Sequence, residues 1–145
     1  MFHLVKRFFG SVSPTPLDEL EQAWVKEVLS IREHDLWLTQ AVVDQRHSHD
    51  IGRRFVVIRP QASRDEIAGA LLHDIGKIDA DLGIMARVIA TVLPVPIPRF
   101  SAYRHHQQRG AQMLNEIGCN ETTIALVAGH PDGDALRALN RADDI

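Results

Sequence analysis

The chain has 145 residues, 45% of them hydrophobic and 24% charged, which is enough for a packed core and excludes a disordered chain. Its net charge of −3 gives no basic patch by composition, so binding to a nucleic acid duplex is not expected. Eight histidines indicate metal chemistry, whereas the single cysteine, Cys119, excludes a disulfide framework and favours a cytoplasmic setting. No apolar stretch approaches the roughly 20 residues that a transmembrane segment needs.

The start of the chain differs in composition from the rest. Residues 1–15 combine a basic, aromatic segment with a short linker, and we predict an N-terminal arm that packs on its own domain or on a partner subunit. The segment is too short for a signal peptide, and an anchor on a membrane surface is the less favoured interpretation. Residues 16–145 are predicted to form one helical domain. Its first helix is expected to begin at Thr15-Pro16, with Asp18 and Glu19 in the first turn.

Helical periodicity describes the rest of the chain, and no segment shows convincing strand alternation. The first helix is expected to break near Ser30 and to continue to Leu38, with Trp24 and Trp37 in the core. Further helices are predicted over residues 42–58, 64–75, 84–93, 101–117 and 121–129, and from residue 135 onward. Three prolines between residues 94 and 98 predict an extended loop, either a connector or a wall beside a site. The predicted fold is an all-α bundle of about six helices.

The most informative stretch carries a His-Asp doublet behind an apolar run. It reads Ala70-Leu71-Leu72-His73-Asp74-Ile75-Gly76-Lys77. Ser63 and Glu66 form a capping-box pattern that starts the helix near Arg64, and Gly76 is predicted to end it. His73 and Asp74 then fall on its last turn. So polar a pair is costly to bury unless it is hydrogen-bonded internally or binds a metal.

A second histidine lies on the apolar stripe of the preceding helix. His47 shares its spacing with Ile51 and Phe55, which places it on the buried face. Taken alone, such a residue is more often a hydrogen-bonded core histidine than a ligand. His49 and Asp50 repeat the His-Asp dipeptide but leave this stripe, so we interpret them as surface or rim residues without a primary metal role.

The order of these residues resembles the HD phosphohydrolase superfamily. That family carries a histidine, a His-Asp pair about one helix later, and an aspartate near the end of the domain. Matching local contexts are Arg46-His47-Ser48, the run from Leu71 to Lys77, and Ala142-Asp143. The similarity covers residues 42–144. The resemblance implies an HD-like helical domain with His47, His73, Asp74 and Asp143 as ligands of one metal ion.

Two further histidines resemble the additional ligands of binuclear HD subgroups, which include the HD-GYP domains. His106 precedes Gly110 by four residues, as the third histidine does, and His130 follows Gly129 as the fourth does. His105 competes with His106, but its spacing to Gly110 is one residue off the pattern. The Gly-Tyr-Pro motif is absent, and proline follows His130. The resemblance therefore does not support hydrolysis of cyclic dinucleotides.

The implied site would hold two divalent transition-metal ions. Imidazole and carboxylate donors suit iron or manganese, with zinc, nickel and cobalt as alternatives. The second ion would take Asp74, His106 and His130, with Asp74 bridging the two metals. Lys77 lies one turn beyond His73 and is predicted to bind a phosphate oxygen. Arg46 could do the same, or could lie on a solvated face.

The function implied by the resemblance is a metal-dependent phosphohydrolase. It would hydrolyse a nucleotide or another small phosphate ester through a metal-bridged hydroxide, with Asp74 and Lys77 as the catalytic residues. Two alternatives stay open: an HD-type diiron oxygenase, and a non-catalytic HD module that binds a ligand or a signalling partner. Oxygen-dependent turnover with iron separates the first alternative from the hydrolase. A homo-oligomer is compatible with the sequence.

Overall fold

The computed structural model describes the backbone of residues 15–80, 99–130 and 133–144, and the side chains of these residues except 78–80 and 99–105. Within these ranges the chain is all-helical, which confirms the predicted fold class. The described elements are, in chain order, α1 (Glu19–Val28), α2 (Ile31–Trp37), α3 (Val42–Ile58), α4 (Arg64–Leu72), a 3₁₀ helix (Ile75–Ala80), α5 (Arg99–Glu116), α6 (Glu121–Ala128) and α7 (Asp134–Asp143).

Side-chain caps determine where most of these helices begin. Capping boxes at Ser30 and Ser63 start α2 and α4, which confirms the predicted break and the predicted start near Arg64. Asn120 caps α6 as predicted. Helix α1 starts later than Thr15-Pro16 because Asp18 accepts a hydrogen bond from the Glu21 amide and forms its own capping box.

Helix α4 lies at the centre of the described core. Ala68, Ala70, Leu71 and Leu72 are fully buried. The helix packs against α3 and α6, while α7 packs on α3, and α5 packs on α6 and on the 3₁₀ helix. This arrangement brings α3, α5 and α7 to the segment that follows α4. Trp37 is buried as predicted, and its indole nitrogen donates to Ser48 Oγ at 2.8 Å.

The end of α4 departs from the prediction. The helix ends at Leu72, one residue before the doublet, and the chain continues through a turn into the 3₁₀ helix. Gly76 therefore does not terminate α4. A Cβ atom on Gly76 would lie 2.0 Å from the backbone oxygen of His106 and 2.9 Å from the Gly110 nitrogen. The glycine is needed because the 3₁₀ helix and α5 touch backbone to backbone.

Several predicted segments lie outside the described residues. They are the N-terminal arm, the helix over residues 84–93 and the proline-containing loop. Among the described residues, no helix is both long enough and apolar enough to cross a membrane.

Candidate metal centre

Four side chains from three helical segments converge beside the end of α4. His47 comes from α3, His73 and Asp74 follow α4, and Asp143 is the last residue of α7. Asp74 Oδ2 lies 3.2 Å from His73 Nε2 and 3.8 Å from His47 Nε2. Asp143 Oδ1 lies 3.7 Å from His47 Nε2 and 3.8 Å from His73 Nε2. We call these four residues the His-Asp cluster; the structure brings together every predicted ligand of the first metal.

The orientation of His73 is determined by the backbone. Its Nδ1 lies 2.7 Å from the carbonyl oxygen of Ala70, one turn earlier in α4. Because a carbonyl oxygen only accepts hydrogen bonds, Nδ1 carries the proton and Nε2 offers its lone pair to the cluster in the neutral ring. His73 Nε2 is buried and has no hydrogen-bond partner. A histidine held in this way is typical of a metal ligand.

The donor set fits a divalent transition metal. Ligands bound at about 2.1 Å to one ion lie roughly 3.0–3.4 Å apart at neighbouring positions. The nitrogen–oxygen distances of 3.2–3.8 Å in the His-Asp cluster are close to this range and need to shorten only slightly. Two imidazoles and two carboxylates suit iron, manganese, zinc, nickel or cobalt.

Burial and charge shift the protonation of the doublet. Burial disfavours the charged form of both groups, but the opposite charge next to each outweighs it. The pKa of His73 is raised well above its ordinary value by Asp74 and Asp143. The pKa of Asp74 is held well below its ordinary value by His73 and Lys77. Asp74 therefore stays ionised, as a carboxylate ligand must be, whereas a metal ion would have to displace the proton that the raised pKa keeps on the His73 ring.

A narrow cavity opens beside the His-Asp cluster. Three of the four cluster residues line it, together with Lys77, His106, Gln107 and Asn140, and an apolar wall is formed by Leu126, Val127, Leu136 and Leu139. The space open to the centre of a water molecule is about 30 Å³. Since one water needs roughly 10–15 Å³ of such space, the cavity lined by the described residues holds about two or three water molecules.

Lys77 lies at the exposed end of this cavity. Its Nζ atom is 3.3 Å from Asp74 Oδ2, the same oxygen that His47 and His73 approach. Half of its side chain is exposed. Lys77 thus lies beside the candidate ligands on the 3₁₀ helix, and its binding of a phosphate oxygen stays a prediction.

The two predicted ligands of a second metal have different surroundings. His106 lines the cavity from α5. His130 is exposed just after α6, where Gly129 adopts a left-handed conformation and the His130 amide donates to the Ala125 carbonyl. Among the described residues, the group around the doublet that could hold a metal consists of His47, His73 and Asp74, and it includes neither of these two histidines nor Asp143. A second ion bound by Asp74, His106 and His130 stays a prediction.

Arg46 does not line the cavity. Its guanidinium group lies 2.6 Å from Glu21 Oε2 and 3.3 Å from Asp50 Oδ1, and it donates to the carbonyls of Thr15 and Pro16. The structure thus places it as a link between α3 and the segment that begins α1. It does not place Arg46 beside a substrate.

His49 and Asp50, the second His-Asp dipeptide, were predicted to lie at the surface or rim, and for His49 this is wrong. His49 is buried, with its ring edge-to-face against Trp24 at 5.6 Å. Its Nδ1 lies 3.0 Å from Asp50 and 3.6 Å from Glu21, so these three side chains also form a group that could hold a metal. Arg46 already pairs with both carboxylates there. A guanidinium in that position repels a metal ion.

Sequence reasoning did not single out Gln107 or Asn140, although both line the cavity. A signal was present. Asn140 precedes Asp143 by about one helical turn, so helical spacing places it beside a candidate ligand, whereas Gln107 directly follows His106 and adjacent positions on a helix do not face each other.

Comparison with protein-family models, with curated proteins and with solved structures gives no significant match for this chain.

Proposed function

We propose that this chain is a metal-dependent phosphohydrolase acting on a nucleotide or another small phosphate ester. The observation that carries the proposal is the buried Nε2 of His73, which has no hydrogen-bond partner and lies among two carboxylates and a second imidazole. The resemblance to HD phosphohydrolases supports the hydrolytic reading of that site. We further propose a small-molecule substrate and a cytoplasmic setting.

The metal would be held by His47, His73, Asp74 and Asp143. When bound there, a divalent ion supplies Lewis acidity, which lowers the pKa of water and polarises a phosphoryl oxygen. The protein's contribution is orientation. The Ala70 carbonyl selects the tautomer of His73, and the ionised Asp74 keeps its charge directed at the same point.

Lys77 is proposed to bind the phosphoryl group. Its ammonium group pairs with Asp74 Oδ2, and a metal ion at the cluster would compete for that oxygen and repel the ammonium. The half-exposed side chain can then turn to a phosphoryl oxygen at the mouth of the cavity. A positive charge next to the negative charge that develops in the reaction stabilises the transition state, although less at this half-exposed position than in a site closed to water.

The experiment begins with the metal content of anaerobically purified protein and a panel of phosphate esters assayed with Fe²⁺ and Mn²⁺. Lys77→Ala should keep the metal and lower turnover by about 10²-fold. Lys26→Ala is the matched control, because Lys26 is exposed on α1 and does not line the cavity. Wild-type protein that binds metal yet hydrolyses no ester would overturn the proposal. Oxygen uptake with iron in that protein would favour the diiron oxygenase.

A further inference from the structure

Two neutral carboxamides stand at the cavity next to the proposed metal and phosphate sites. Gln107 reaches it from α5 and Asn140 from α7, so the two side chains belong to different helices. Asn140 is exposed, as is half of Lys77, whereas His73 is buried. The cavity therefore has a buried metal-binding end and a polar mouth.

The position of Gln107 is supported by packing. Its carboxamide atoms lie next to Gly129, where an added Cβ atom would be 3.4 Å from Nε2 and 3.5 Å from Oε1. Gly129 ends α6 in a left-handed conformation with φ of 75°, which favours glycine. The backbone of Gly129, which has no side chain, thus packs against the Gln107 amide. Gln107 is half-buried, so part of its conformational freedom is already lost before a ligand binds.

The chemistry of this mouth differs from that of the metal-binding end. A carboxamide both donates and accepts hydrogen bonds and carries no charge, which complements hydroxyl groups. Among the described residues that line the cavity, Lys77 is the one cationic side chain, and the proposed reaction assigns it to the phosphoryl group. The rest of the lining includes Leu126 and Val127, which suit a carbon skeleton.

We infer that the substrate is a phosphomonoester of a hydroxyl-bearing, uncharged alcohol such as a sugar, and that Gln107 and Asn140 bind its hydroxyl groups. This inference rests on the proposed phosphohydrolase function. In this arrangement the phosphoryl group lies at the metal-binding end, and the alcohol portion extends to the mouth, where Asn140 is exposed. A polyphosphate chain would bring further negative charges against carboxamides and leucines, which do not compensate them.

The test compares two esters that differ in the alcohol portion. Ribose 5-phosphate carries hydroxyl groups, and phenyl phosphate carries none. Gln107→Met and Asn140→Leu remove the hydrogen-bonding groups at nearly constant volume. Each should lower kcat/KM for ribose 5-phosphate by about tenfold, which corresponds to one lost hydrogen bond. Activity on phenyl phosphate and the metal content should stay within about twofold, since neither depends on hydroxyl recognition. In calorimetric titrations, the dissociation constant for ribose 5-phosphate should rise in both variants, and that for phenyl phosphate should stay nearly unchanged.

Gln112→Met is the matched control, since Gln112 is exposed on the same helix as Gln107 and does not line the cavity. Asn140→Ala replaces Asn140→Leu if the leucine variant fails to fold. Equal losses on both esters, or none on either, overturn the inference while the phosphohydrolase activity stands. A wild-type protein inactive on every ester defeats the proposed function instead.

Discussion

At the scale of single residues, the candidate site depends on how the backbone presents one imidazole. His73 donates from Nδ1 to a carbonyl of its own helix, and Nε2 makes no hydrogen bond although it lies 3.2 Å from Asp74 Oδ2. An unsatisfied buried nitrogen costs free energy unless a ligand occupies it. The neighbouring carboxylates supply the charge that a cation needs. A cation bound by these four side chains would therefore remove the free-energy cost of the buried nitrogen.

Asp74→Asn tests the charge of this cluster. The amide keeps the shape of the side chain but loses the negative charge and one oxygen donor, so metal content and turnover should both fall by at least about tenfold. Elemental analysis and a steady-state assay on the same preparation measure the two quantities. Asp50→Asn, in the second His-Asp dipeptide, serves as the control and should change neither. Full metal content in Asp74→Asn would remove Asp74 from the ligand set.

His106→Ala tests the predicted second metal. If His106 and His130 complete a second ion site with Asp74, the variant should retain one ion and lose most of its activity. Elemental analysis of wild type, His106→Ala and His130→Ala counts the ions. His105→Ala is the comparison, because His105 is the competing candidate. Loss of one ion in His105→Ala alone would show that the neighbouring histidine is the ligand, and a single ion in wild type would exclude a binuclear centre.

At the scale of helices, Arg46 links α3 to α1. Its bidentate pairing with Glu21 is the largest cause of a Glu21 pKa lowered from 4.5 to about 2. Because the folded-state pKa is the lower one, the stabilisation is complete above about pH 5 and is lost as the pH falls through 4.5 towards 2. This pairing acts on stability and leaves the cavity untouched.

Arg46→Leu should therefore lower the free energy of unfolding by about 1–2 kcal/mol at pH 7 and leave kcat/KM nearly unchanged. The difference from wild type should shrink below pH 4, where Glu21 of the variant is protonated. Urea denaturation at several pH values measures both effects. A loss of activity without a loss of stability would support the original prediction that Arg46 binds substrate.

Gly76 and Gly110 allow the 3₁₀ helix to touch α5, and the 3₁₀ helix carries Lys77. Gly76→Ala must push the two backbones apart, so it should cost about 3 kcal/mol or more and reduce turnover as well. Gly118→Ala is the control. It has open space around its Cβ position but a φ of 79°, so it should cost only about 1–2 kcal/mol through backbone strain. Chemical denaturation of both variants measures which one loses more free energy of unfolding. Equal losses would contradict the close contact between the 3₁₀ helix and α5.

At the scale of the whole molecule, one ion would join residues almost a hundred positions apart. His47 lies in α3, the doublet follows α4, and Asp143 ends α7, while α7 packs on α3. Arg54 adds to this contact, since its guanidinium donates to the Ala142 carbonyl at 3.4 Å. An ion bound only by the folded chain stabilises it by mass action.

Removal of the metal should consequently lower the melting temperature. At a free-ion concentration of 100 times Kd, the added stability is about 2.7 kcal/mol, or roughly 9 °C for a chain of this size. Calorimetric scans with chelator and with increasing Mn²⁺ measure the shift. Asp143→Asn should abolish most of it. A melting temperature independent of metal in the wild type would show that no ion bridges these helices.

Helix bounds and candidate ligands could be predicted from the sequence because their signals are local. The capping boxes at Ser30 and Ser63 depend on residues three positions apart, and periodicity placed His47 on an inward face. That His47, the doublet and Asp143 would meet was predicted from the resemblance of their order to the HD superfamily. Helix propensity, capping and spacing all act within a few turns, so they can be recognised in the sequence without knowledge of the packing.

Only the tertiary structure showed which residues make contacts that the sequence did not predict. Arg46 binds Glu21, 25 positions away, although it was predicted to bind a phosphate oxygen or to lie on a solvated face. His49 is buried against Trp24, although it was predicted to lie at the surface or rim. Gly76 was predicted to end a helix, but in the structure its lack of a side chain allows close contact with the backbone of His106. Each of these contacts joins segments distant in sequence, and their energies depend on how helices pack. No local pattern encodes that packing, since the same spacing is compatible with several arrangements of the bundle.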